Sequence, residues 1–452
     1  MAYIAGTTIE KNLYATGAST VLYTDRRDFY VQPQVVKTRY AQVAPFLTAV
    51  SNWNQVTGLK DPQYKLFQFT SPWVKQYFQC TTGAVTTDAD DAEDTLAVTI
   101  TGAVGMPTAL GNYLVGQKFD VFANVDSKPS GASKGTVVCT TFTSTVAINV
   151  KNLTGATFII AADDWLVLSG TAFGEGTEAA NPSWNELAVR WNQCGIHKTS
   201  FQLTNTLMAA NLRGESSEYD RLKRVKGQEH MIKKERDLLF STSNIGIGES
   251  GDTFGDGGRT DVGGNTIRAT YGAFKAVYDY GTSTATSDDQ NIFPIPEASY
   301  SYADWVDDCE KIFDESPDGV LPMFVGAGLL SYFNKLEGSG GAGVTGNSGW
   351  TVNFPKMNSE RASTLGFNIR EWESPHGTIQ FVRTPVMTKD PFAYKAGLAI
   401  DPTNISHMVF RSPQYQQNIV TDNAPDYQKN QYMSDEGIAI TNIYNHNIMY
   451  LV

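Results

Sequence analysis

The stretch "GESSEYDRLKRVKGQEHMIKKERDLLFS", residues 214–241, is the most charged run of an otherwise lightly charged chain. Ser217, followed three residues later by Asp220, reads as a helix N-cap with an acid in the first turn. Tyr219, Leu222, Val225, Ile232 and Leu239 fall at spacings of three, four or seven, so one narrow stripe is apolar. Asp220/Arg224 and Glu229/Lys233 are i,i+4 pairs with the acid first, and Lys233/Asp237 is the reverse order. Ser241, Ser243, Asn244 and Gly246 then end the pattern. The predicted helix, 215–240, spans roughly 35–40 Å. Read alone, it is a solvent-exposed surface helix, His230 included. A thin apolar stripe also suits a strut whose polar flanks meet neighbouring molecules, and the rest of the chain decides.

The chain has 452 residues, 41% of them hydrophobic, which is enough to bury a core. Its net charge of −12 argues against a general nucleic-acid binder, which carries a basic face. The four cysteines Cys80, Cys139, Cys194 and Cys309 lie far apart with no C-x-x-C, so free thiols are expected. No signal-peptide pattern opens the chain. No apolar run approaches the roughly 20 residues of a membrane span, so the expectation is a soluble protein, intracellular when made, with no membrane partner.

Residues 1 to about 60 mix charge, proline and scattered aromatics, and read as an extended arm with a short helical piece. From about 95 to 172 the period becomes two, as in Leu96/Val98/Ile100 and Val146/Ile148/Val150. Short strands at this spacing predict a small β-barrel or sandwich, with "DSKPSGASKG" as a polar turn within it. Segments 62–82 and 181–206 flank this module as the legs of a long hairpin would. A glycine-rich linker, 245–264, follows the charged helix. "SYADWVDDCEKIFDES" is an amphipathic helix with Trp305, Val306, Cys309, Ile312 and Phe313 on its apolar face, and "GLLSYFNKL" is another, with Leu329, Leu330, Phe333 and Leu336 expected to be buried. The last third returns to strands, with a hairpin turning at "SPHG", where Pro375 and Gly377 suit a tight turn.

Motifs for chemistry fail on context. "GSGGAG", Gly338 to Gly343, follows a helix and precedes no helix, so it has no N-terminal amides for a pyrophosphate. "GESGD" puts Asp252 where a nucleophile elbow needs Gly. "TTDADDAEDT" lacks the glycine and terminal glutamate of a calcium loop. The five histidines belong to no zinc motif. No catalytic residue, cofactor or metal is therefore assigned.

The order of parts resembles the major capsid proteins of tailed bacteriophages, with their Hong Kong 97-type fold. "VGQKFDVF" through "DDWLVLSGTAFGEGTEA" is similar to the strand and G-x-A-x-x-E-G run of a subfamily with a β module in its E-loop, carried here by Gly170, Ala172, Glu175 and Gly176. "LLFSTSNIG", "HGTIQFVRTPVM…LAIDPTNI" and "EGIAITNIYNHNIMYLV" resemble its helix end and late strands, with Gly377, Arg383 and Asp401 in the recurring places. The likeness begins at about residue 60.

The resemblance implies an α+β fold: an N-terminal arm (1–60), an extended E-loop region (61–212) carrying the β module, a peripheral domain (213–320) crossed by the spine helix, an axial domain (321–400) and C-terminal strands (401–452). It implies that Ser217, Leu222, Val225, Ile232, Leu239, Gly176, Gly377 and Gly340 serve structure and assembly. It implies hexamers and pentamers of this chain in an icosahedral shell that encloses double-stranded DNA in the virion, after synthesis in the bacterial cytoplasm. Linker 245–264 and loop 338–349 would be the adjustable parts. A scaffolding protein, a portal and a decoration protein are the implied partners, and an acidic wall would not grip packaged DNA. The β module would clamp neighbours without a covalent link. The competing readings are a tail, baseplate or adhesion protein with a glycan-binding β module, and a hydrolase with a β accessory domain.

Overall fold

The computed structural model describes residues 43–68, 77–81, 85–87, 96–100, 114–125, 128–144, 147–176, 188–209, 217–243, 260–283, 290–314, 319–338, 358–362, 368–419 and 426–452. The chain divides into two units: Met1–Leu66 with Val189–Val452, and Phe67–Ala188.

The first unit holds a seven-stranded mixed sheet, in the order Ile292–Ile295, Asn447–Leu451, Ala396–Ala399, Val320–Val325, Thr378–Arg383, Asn368–Glu373, Asn358–Ala362. Its central strands are near-continuous apolar runs because both faces are covered. The period of two sorts them. Leu321, Met323, Val325, Ile379 and Phe381 face one core, with Trp305, Cys309, Ile312 and Phe313 of helix Tyr302–Asp314 and with Leu329 and Phe333 of helix Ala327–Gly338. Phe324, Val382, Leu398 and Ile448 face the other, against helices Pro45–Trp53 and Ala273–Tyr280. The domain limits at 320/321 and 400/401 therefore cut through one sheet, which draws strands from 292–295, 320–325, 358–399 and 447–451. The arm also ends earlier than residue 60. Phe46, Leu47, Ala49 and Val50 are core residues, and Gln55–Thr57 pairs in parallel with Ile405–Gln416.

A second, four-stranded sheet runs Gln55–Thr57, Ile405–Gln416, Tyr427–Ile440, Gly195–Thr204. The charged helix, Glu218–Phe240, lies on its last two strands. Ser217 Oγ accepts the Asp220 amide at 3.3 Å, and the helix ends at Ser241. Gly272 N then donates to Ser241 O. A Cβ at Gly272 would stand 2.5 Å from Leu239 backbone, so only glycine lets the next helix start there.

In the second unit, six antiparallel strands run Tyr77–Gln79, Trp165–Thr171, Gln117–Val125, Lys128–Ser144, Ala147–Asn152, Leu96–Thr99. The outer two meet through a Cys80–Ile100 bridge and a Thr81 N to Thr99 O bond of 2.8 Å, which close the sheet around Phe78, Phe119, Val121, Ile148 and Leu166. The unit is wider than 95–172 because Tyr77–Gln79, read as part of a hairpin leg, pairs with Trp165–Val167 inside it. Most of "DSKPSGASKG" is also strand rather than turn: Lys128–Ser130 pairs with Ala123–Val125, and residues 131–134, small or polar, are exposed. The chain leaves the first unit along Gln63–Gln68 and re-enters along Ala188–Gln193, and these two strands are hydrogen-bonded neighbours.

Candidate functional site: a polar seam beneath the long helix

The narrow apolar stripe does not define the buried face of the long helix. Its buried residues are Glu218, Leu222, His230, Lys234, Glu235, Leu238 and Leu239. Leu222 and Leu239 are buried as the stripe requires, whereas Tyr219, Val225 and Ile232 are only half-buried. Tyr219 nevertheless bonds Tyr415 Oη at 2.6 Å beside Phe201. Leu222, His230, Lys234 and Leu238 lie along one i+4 ridge that drifts round the helix, and two of those four are ionisable.

The sheet answers in kind. His197, Thr199, Phe201 and Leu203 alternate inward along their strand. Gly195 pairs with Glu436, His197 with Ser434, and Thr199 with Tyr432, so these residues share the face beneath the helix. His230 is held between Thr199 Oγ1 (3.2 Å) and Ser434 Oγ (3.3 Å). It is thus a buried, satisfied histidine and not a solvated one; burial first, and then the Lys234 charge, depress its pKa to about 4. His197 Nδ1 donates to Asp237 at 2.9 Å. Arg411 grips Asp435 with two nitrogens.

At the centre, Lys234 Nζ reaches both oxygens of Glu436, at 2.9 and 3.1 Å. His407 Nε2 lies 3.0 Å from the same carboxylate, and its Nδ1 lies 3.0 Å from Ser51 Oγ. Burial alone would raise the Glu436 pKa, but the His407 hydrogen bond and the Lys234 charge outweigh it and hold it at about 2. Glu235 has no such partner. Burial pushes its carboxyl up to about 8 against the opposing pull of the Leu47 and Phe46 amides. Neither of its oxygens reaches hydrogen-bond geometry. Those amides belong to the first turn of helix Pro45–Trp53, which has no side-chain cap of its own.

Ser51, His407 and Glu436 have the connectivity of a hydrolytic triad. They lack what would make them one. Ser51 sits in the second turn of helix Pro45–Trp53, where the amides around it serve i→i−4 bonds, so none of them faces an incipient oxyanion. The seam orients the helix on the sheet; it does not do acyl chemistry. Among the described residues no group of three or more His, Cys, Asp or Glu could hold a metal ion, and no helix is long and apolar enough to cross a membrane.

The sequence profile of the family described as SU10 major capsid protein matches residues 16–450. The chain belongs to the SU10 major capsid protein family. An SU10-type capsid protein builds the head shell and is structural rather than enzymatic, which sets aside the tail and hydrolase readings. No curated protein sequence matches it. Three solved structures align at low identity: a capsid of an empty GTA particle (6% identical, all of both chains, TM-score 0.44), one of Mycobacterium phage Bobi (8%, 96% of this chain and 98% of that one, 0.43), and the capsid of Myoviridae phage XM1 (9%, 94% and 97%, 0.41). The assignment rests on the sequence profile.

In this capsid protein the other anticipated positions are dispersed. Gly377 closes the Asn368–Glu373/Thr378–Arg383 hairpin, where a Cβ would meet the Phe313 ring at 2.6 Å. Gly176 adopts φ +73° in open space in the second unit. Gly340, Ser250, the acidic run 88–94 and most of linker 245–264 lie outside the described residues. The four cysteines are free and buried. Sequence reasoning missed Ser51, Lys234, Glu235, His407 and Glu436. A signal was present: His197 and Thr199 occupy the same alternating face as Phe201 and Leu203, so that face had to bury polar groups.

Proposed function

We propose that the chain has the Hong Kong 97-type architecture and tiles an icosahedral head shell as hexamers and pentamers around double-stranded DNA. The observation that carries this reading is the family match across residues 16–450. In it, Glu218–Phe240 is the spine helix, with Ser217 capping it, Leu222 and Leu239 seating it, and half-buried Val225 and Ile232 flanking that contact. Phe67–Ala188 is the β module borne by the E-loop, with Gly176 at its exit. The seven-stranded sheet with Gly377 forms the axial and adjoining peripheral parts. The segment before Ala44 is the arm, and Gly340 lies in an adjustable loop.

A helix lying on a single sheet suits a thin wall with two wet sides, because its outer flank stays charged. Shell contacts of standard size bury roughly 1,600 Å² each, and many weak contacts per subunit add avidity while each stays reversible. The net charge of −12 suits a wall that encloses DNA without holding it. A scaffolding protein, a portal and a decoration protein are the expected partners, and synthesis in the bacterial cytoplasm precedes entry into the virion. Co-expression with the neighbouring phage genes, followed by cryo-electron microscopy, is the test. Closed shells with pentameric vertices are expected; trimeric spikes or tail tubes would overturn the reading.

A further inference from the structure

Phe392 and Tyr278, 50% and 38% exposed, meet on the first unit, and Tyr394, 42% exposed, stands two residues after Phe392 on the same turn. The turn "DPFAYK", residues 390–395, displays Phe392 and Tyr394. Asp390 Oδ1 accepts the amides of Phe392 and Ala393, both at 3.0 Å, and Asp390 O accepts that of Tyr394 at 2.9 Å. Ala393 between them is wholly buried and pins the turn. Phe392 packs edge-on against Tyr278 at 5.8 Å and lies 6.1 Å from half-buried Tyr450. The Tyr394 ring lies over Gly328, where a Cβ would come within 2.7 Å of it. Both exposed rings are therefore held in place before any partner arrives. Preorganised aromatics are what interface hot spots are made of, since little side-chain entropy remains to lose.

The surrounding charges name the partner. Lys275 pairs with Asp279, Lys395 with Glu297, and Lys389 adjoins Asp390. This rim is neutral on a chain of net charge −12. A basic partner would be met by an acidic surface. A neutral rim around an apolar centre lets two equally acidic molecules approach.

We propose that the Phe392–Tyr394 turn, backed by Tyr278, is a contact surface for a second copy of this chain. The proposal rests on the shell-building reading and adds a location to it. The test places a photo-crosslinker at the tip, Phe392→p-benzoylphenylalanine, in assembled particles, and sequences the cross-linked peptides. The product should run at the mass of two chains on a denaturing gel, with both peptides from this chain; a product of one chain's mass is an intrachain link and counts as none. The double variant Phe392→Asp/Tyr394→Asp should keep the thermal transition of the free chain and lower particle yield by at least about tenfold. Cross-links only to a different protein, no cross-link at all, or a double variant that assembles at full yield would each overturn the proposal while leaving the shell reading intact. A wild-type chain that never forms particles would instead remove the reading on which it rests.

Discussion

Glu235 stands fully buried on the long helix, with its carboxyl held at about 8 against an ordinary 4.5. The folded chain keeps a proton that the unfolded chain releases, so this group subtracts stability as pH rises from 4.5 to 8, by about 1.4 kcal/mol per pH unit. His230 acts oppositely. Its folded pKa of about 4 lies below 6.5, so its contribution is lost as pH falls through that interval. Between pH 4.5 and 6.5 His230 and His446, which burial likewise holds at about 4, oppose Glu235, and from pH 6.5 to 8 Glu235 is the one group among the described residues whose shift tilts the curve downward. Glu235→Gln is expected to flatten the fall in urea midpoint between pH 6.5 and 8 and to be the more stable protein at the upper end. An unchanged slope would mean that Glu235 is not the titrating group. At the adjacent position in the same seam, Lys234→Met strands the buried Glu436 carboxylate with His407 alone, a loss expected at about 3–5 kcal/mol by denaturant titration. A loss below about 1 kcal/mol would show that water reaches the seam.

Gly227 interrupts the long helix opposite Tyr432, whose hydroxyl donates to Lys223 O at 3.0 Å. A Cβ added there would lie 3.4 Å from that hydroxyl, an ordinary contact. Gly227→Ala should therefore recover up to about 1 kcal/mol of helix propensity and raise the melting temperature. A lowered melting temperature would mean that Tyr432 cannot move by even a few tenths of an ångström. The limits of this helix were legible because capping is local chemistry, written in Ser217 and Asp220. Its buried face was not. A stripe drawn through apolar residues assumes that hydrophobicity chooses the inner side, and here a lysine and a histidine lie there, matched across strands some 200 positions later. Helices Tyr302–Asp314 and Ala327–Gly338 follow the ordinary rule and were readable from spacing alone. The same limit hid the sheet order. Period two reports which residues share a face, but not that Val320–Val325 lies between Thr378–Arg383 and Ala396–Ala399.

For the molecule as a whole, copies that each carry −12 repel at long range, and added salt shortens that repulsion. Self-association of the purified chain should therefore strengthen between about 0.05 M and about 0.3 M salt, as read by light scattering. Weakening over that range would mean that the contacts between copies are mainly ion pairs. The early arm boundary, the wider β module and the sheet shared across the expected domain limits have one cause. Each depends on pairing between distant segments, which no local pattern encodes.

Strands Gln63–Gln68 and Ala188–Gln193 run side by side, so the β module departs and comes home through a doorway one strand-spacing wide, about 5 Å. It is a cassette. Replacing residues 69–187 with a short linker, or with a foreign domain whose own termini are adjacent, is expected to leave the strands that hold the first unit together in place. Related phages could thus vary this ornament independently of the masonry, and an engineer has the same freedom at the same two seams.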